Sequence, residues 1–151
     1  MISRHLFARC LVATAFAMAL GACGQMRMGG GTGGMETYRA TLSGAQEVPP
    51  VSSAGTGSAE VTVNPSTMAM TYRVTYSGLT GPATMGHIHG PAPAGQNAGV
   101  KIPFPSVAQS PITGTATLTA EQYADLKGGR YYVNIHTAAN PGGELRGQLA
   151  R

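Results

Sequence analysis

From residue 36 onward apolar and polar positions alternate with period two, the pattern of strands with one face buried. Residues 38–42 make a first strand with Tyr38, Ala40 and Leu42 on one face, and Pro49-Pro50 forbid its ladder from continuing. Residues 58–63 and 68–76 flank Asn64-Pro65-Ser66-Thr67 and predict a hairpin. In its second arm Met68, Met70, Tyr72, Val74 and Tyr76 alternate with Ala69, Thr71, Arg73 and Thr75. After a turn at 77–82, residues 83–89 form a further strand. Residues 90–111, with Pro91, Pro93, Pro103, Pro105 and Pro111, show little periodicity and predict a long loop of the kind that is commonly functional. Residues 112–119, 130–137 and 145–149 complete the strands. Between them residues 119–126 predict a capped helical turn, with Thr119 as N-cap and Gln122 three residues on, ended by Gly128-Gly129. Short strands separated by Gly/Pro turns specify an all-β, antiparallel Greek-key β-sandwich with one short helical turn.

The first residues do not fit this pattern. Arg4 and Arg9 precede an apolar run over 11–20 that is too short to span a bilayer, as in a signal peptide. Leu20-Gly21-Ala22-Cys23 resembles the bacterial lipobox. That resemblance implies a signal over 1–22, lipidation at Cys23 and attachment to a membrane through the lipid. Gly24-Gln25 lack the aspartate associated with inner-membrane retention, which implies an outer-membrane address facing the periplasm. An ordinary signal peptide cut nearby is the alternative. Residues 23–36 then read as the lipidated cysteine and a Gly/Met-rich tether, and 37–151 as the folded domain.

Composition narrows the function. The formal charge of +4 includes Arg4 and Arg9 of the leader, so the remaining chain is nearly balanced and nucleic-acid binding is not expected. The two cysteines are Cys10 and Cys23, one discarded and one lipidated, which leaves no disulfide for a secreted domain. No Ser/His/Asp or Cys/His nucleophile set stands out, and the Gly-rich tether does not join a strand to a helix as a phosphate loop does.

The chemistry lies in Gly86-His87-Ile88-His89-Gly90 and in Tyr132-Val133-Asn134-Ile135-His136-Thr137. Residues i and i+2 of a strand share a face, so His87 and His89 point together while Ile88 enters the core. By the same parity Val133 and Ile135 point inward, Asn134 and His136 outward. Besides His5 of the leader these are the chain's histidines. Three imidazoles on a rigid frame suit copper or zinc; structural histidines on a sheet face are the alternative. Glu47, Asn134 and Glu144 are candidates to orient them, since ligating histidines donate their second N–H to an oxygen. Glu144 can instead pair with Arg146 on one strand face. Met85 adjoins the motif as a core residue or a soft ligand, and of Tyr131 and Tyr132 one belongs to the core and one beside the site.

Leu42-Ser43-Gly44-Ala45-Gln46-Glu47-Val48-Pro49-Pro50, Gly86–Pro91, Tyr132–Thr137 and Pro141-Gly142-Gly143-Glu144-Leu145-Arg146-Gly147-Gln148-Leu149 resemble, in order, the CHRD domain named after chordin. That resemblance implies an extracytoplasmic β-rich domain and, through chordin, a non-enzymatic surface module meeting an envelope protein. Gly86-His87-Ile88-His89, Gly129–His136 and Gly142–Gly147 also resemble copper–zinc superoxide dismutases. This implies copper on His87, His89 and His136 and an anion-attracting Arg146 near the open position, in a sandwich of that type; an immunoglobulin-like sandwich is the alternative. Zinc is the alternative metal and dismutation the one enzymatic candidate. No bridging histidine lies between His89 and His136, so the expected centre holds one ion.

Overall fold

The computed structural model describes residues 34–151. The signal, Cys23 and most of the tether lie outside the described residues. Eight strands run in the order β1 (Glu36–Ser43), β2 (Thr56–Val63), β3 (Ala69–Ser77), β4 (Ala83–His89), β5 (Val100–Pro103), β6 (Ile112–Thr117), β7 (Tyr132–Thr137) and β8 (Leu145–Gln148). A short helix α1 (Ala120–Lys127) precedes β7. The strands pair antiparallel in the order β5-β4-β7-β8-β1-β2-β3-β6. The sheet folds on itself where β8 meets β1, joined there by Ser43 opposite Arg146 and a bridge between Arg39 and Ala150. The expected all-β architecture is observed, and non-sequential neighbours β4–β7, β8–β1 and β3–β6 supply its crossovers.

Period-two burial builds the interior. Tyr38, Ala40 and Leu42 of β1, Ala59, Val61 and Val63 of β2, and Met70, Tyr72 and Val74 of β3 are buried together with Ile88, Val133, Ile135 and Leu145 of the other strands. Each such large side chain removed from water contributes about 1.5–3 kcal/mol. With no tryptophan, rings fill the space: Tyr72 and Phe104 stack at 4.7 Å. The helix begins with the predicted capping box, in which the Gln122 amide donates to Thr119 Oγ1 and the Thr119 amide donates to Gln122 Oε1.

Two expectations need correction. The stretch 90–111 is not all loop: Val100-Lys101-Ile102-Pro103 adds β5 beside β4, with Ile88 opposite Ile102. And β7 does not alternate, because all six of its residues are buried. Asn134 and His136 do point away from the core, but they reach covering loops instead of water.

Candidate metal centre

Strand β4 carries Met85, His87 and His89 on one face and Gly86 and Ile88 on the other. Gly86 is a packing requirement: a Cβ there would meet Phe104, Ile135 and Val107 at 2.8–3.0 Å. In the register with β7, Met85 stands opposite His136, His87 opposite Asn134 and His89 opposite Tyr132. Strand β8 then sets Arg146 opposite Asn134 and Gln148 opposite Tyr132. One face of three neighbouring strands therefore collects three imidazoles, a tyrosine, an asparagine, an arginine and a glutamine.

The histidines come together as expected, each offering a ring nitrogen within 4.8 Å of the others. His87 Nδ1 and His136 Nε2 are 3.3 Å apart. Nitrogens about 2.0–2.1 Å from a tetrahedral ion are themselves separated by roughly this distance. Main-chain acceptors orient the rings. His89 Nδ1–H donates to the Ala98 carbonyl and His136 Nδ1–H to the Pro141 carbonyl, each at 2.9 Å. A carbonyl only accepts, so in the neutral rings both Nε2 atoms keep a lone pair. Among the described residues His89 Nε2 is buried and has no hydrogen-bond partner. Such an atom carries a desolvation cost that a bound cation would remove.

Electrostatics keep the rings neutral. The pKa of His87 is lowered by burial and by the positive charge His136 and His89 would carry. Burial lowers His89 more than its bond to Ala98 raises it, with His136 and Arg146 adding to the decrease. His136 is likewise lowered by burial against the opposing bond to Pro141. Neutral imidazole is the ligating form.

Tyr132 holds the far side. Its ring stacks on His89 at 5.0 Å and 5°, its hydroxyl accepts from the Ala98 amide at 3.0 Å, and the Arg146 guanidinium lies over its other surface at 3.6 Å. Arg146 is 1% exposed and donates to Asn97 Oδ1 and the Gln96 carbonyl. The arginine thus braces the loop that supplies Ala98, with the tyrosine ring in the stack between it and His89. Tyr131 is in the core, as one of the pair was expected to be.

The carboxylates occupy different places from those expected. Neither Glu47 nor Glu144 receives a hydrogen bond from a histidine, and Glu144 does not pair with Arg146. Glu144 accepts instead from the hydroxyls of Ser53, Thr80 and Thr137, from the Thr80 amide and from the Asn140 amide group. Burial alone would raise its pKa, but the Thr137, Thr80 and Ser53 bonds outweigh this and bring it to about 2. This cage pins the 137–144 turn that presents the Pro141 carbonyl. Glu47 sits at the opposite extreme. Asn134 Nδ2–H donates to its Oε2 at 3.2 Å, while Glu47 Oε1 and Asn134 Oδ1 are buried without partners among the described residues. Burial raises its pKa to about 7 against the lowering effects of Arg146 and Asn134. Gly143, at φ +132°, lets the backbone pass over both: a Cβ would lie 2.5–2.6 Å from Asn134 and Glu47 side-chain atoms.

The sequence reading missed Gln96, Asn97, Ala98 and Pro141. Three of them act through main-chain carbonyls, which no residue type announces; Asn140-Pro141-Gly142-Gly143 signalled the turn but not its role. The sequence offers Met85 as a core residue or a soft ligand, and its exposure of 46% removes the core role.

The CHRD domain family profile matches residues 38–149. The chain belongs to the CHRD domain family. Comparison with curated proteins and with solved structures gives no match. The family match spans both histidine strands, the Glu47 segment and the 141–149 segment, so the whole loop-covered face lies within the CHRD domain.

Proposed function

We propose that this CHRD-domain protein binds one metal ion, copper in preference to zinc, through His87, His89 and His136, and does so anchored to the cell envelope through Cys23. The observation that carries the reading is the buried, partnerless His89 Nε2 beside two further imidazole nitrogens within 4.8 Å. Orientation by main-chain carbonyls and lowered pKa values support it, because both favour neutral rings with free lone pairs. Copper is preferred on general affinity order, in which divalent copper exceeds zinc for nitrogen ligands. A bound copper ion would supply one-electron chemistry; the chain's own residues hold the three rings in place and shield His89 from water. Copper handling is favoured over dismutation, since Arg146 is buried against Tyr132 and the 96–97 loop and does not face solvent to draw in an anion. The lipobox-like Leu20-Gly21-Ala22-Cys23 supports the anchor, and Gly24-Gln25 an outer-membrane position facing the periplasm.

Thermal melting tests the binding. At a copper concentration near 100 times Kd the wild-type midpoint rises by on the order of 10 °C. His87→Ala and His136→Ala lose that rise. A wild-type midpoint unchanged by copper and by zinc would refute the proposal.

A further inference from the structure

Met85 lies on the histidine face and outside the hydrophobic core. It shares the β4 face with His87 and His89 at i, i+2 and i+4, and it stands directly opposite His136 on β7. Cβ atoms of such cross-strand partners lie about 4.5–5.5 Å apart, and side chains two residues along a strand about 6.6–6.8 Å apart. The thioether, carried on three rotatable bonds, spans distances of this size. Of the two methionines within the described strands, Met70 is 1% exposed in the core, whereas Met85 is 46% exposed on a strand paired on both sides. The β4–β7 register also shifts between Ala83 and Met85. Bulges of this kind re-aim side chains beside functional sites.

Resting on the reading of the three histidines as a metal site, we propose that Met85 is a fourth, thioether ligand that makes the site selective for Cu(I). Thioether sulfur is a soft donor that favours Cu(I), while zinc and Cu(II) are served by the imidazoles. The exposure of Met85 then follows from its task. A side chain at the rim, not packed into the core, can close over an ion entering from solvent and release it again.

The test uses the full chain, prepared metal-free and handled without oxygen, as wild type, Met85→Leu and His87→Ala. Leucine keeps the apolar volume, so a packing role would survive the change. Cu(I) affinity is read by competition with a chromogenic Cu(I) chelator, zinc affinity by a zinc-sensitive dye, and the donor atoms by X-ray absorption of the Cu(I) form. Loss of a direct ligand weakens Cu(I) binding in Met85→Leu by at least about tenfold, given that even indirect ligand partners are worth about 10–100-fold. Zinc affinity stays at the wild-type value, and the sulfur scatterer seen in wild type disappears. In His87→Ala both metals bind more weakly. Unchanged Cu(I) affinity in Met85→Leu, or sulfur scattering that persists there, overturns the assignment of Met85 while the loss in His87→Ala keeps the histidine site. Absence of Cu(I) and zinc binding in wild type overturns both.

Discussion

On the outer face of β1–β2–β3, Arg39, Thr41, Ser58, Glu60 and Arg73 stand in water, and Arg39 meets Glu60 at 2.8 Å with side chains 70% and 50% exposed. On the outer face of β7–β8, Tyr132, Asn134, His136 and Arg146 are buried. Both faces arise from the same alternation within one antiparallel sheet. What differs is the covering. Loops around residues 44–51, 91–98 and 138–143 close over the second face and bring main-chain carbonyls and the Glu47 carboxylate to it. A polar side chain that would be solvated on the first face becomes, on the second, a group that must find a partner or be left without one. Ordinary residues gain directed chemistry there because water is excluded.

Three substitutions separate the faces. Glu144→Ala has the largest effect. It leaves Ser53, Thr80, Thr137 and Asn140 donors without their acceptor, and urea denaturation should show a loss of about 3–5 kcal/mol. A loss below about 1 kcal/mol would mean that the cage does not hold the turn.

Glu47→Gln comes next, and its effect grows with pH. A carboxyl raised from its ordinary 4.5 to about 7 in the fold contributes stability that is complete below about 4.5 and is lost as pH rises through 7. Glutamine has no such titration. In metal-free protein the variant should therefore be more stable than wild type by about 1–3 kcal/mol at pH 8, with the advantage vanishing by about pH 4. Glu144, lowered to about 2, runs the other way: its contribution is present above 4.5 and is lost as pH falls through 2. Parallel stability–pH curves for wild type and Glu47→Gln would contradict the contrast between the two carboxylates.

The smallest change is Arg39→Ala on the open face. An exposed ion pair is worth about 0–1 kcal/mol, and chemical denaturation should place the variant within that range and make the difference shrink in high salt.

Much of this was legible along the chain. The β4 boundaries, the capping box and the convergence of His87, His89 and His136 follow from local pattern, because strand parity and caps depend on neighbours a few residues apart. The proline-rich stretch hid β5, since Val100-Lys101-Ile102-Pro103 is short and ends in a residue that weakens any strand assignment. The sequence offers Glu47 and Glu144 as groups that orient the histidines, and the structure gives both of them other partners. Their surroundings are assembled from segments far apart in sequence, as when Ser53 and Thr80 both reach Glu144. Ala98 and Pro141 were invisible because their contribution is a carbonyl that every residue possesses. Arg146 looked like a charge awaiting an anion; its stacking on Tyr132 depends on the β7–β8 register, which no local pattern states.

The central claim, that the three histidines hold one metal ion, is tested most directly by loading metal-free protein with Cu(II) and measuring bound copper together with its electron paramagnetic resonance spectrum. The account predicts about one copper per chain with nitrogen splitting from imidazole ligands, and loss of that signal in His136→Ala. Copper below one-tenth per chain in the wild type, or an unaltered spectrum in His136→Ala, would contradict it.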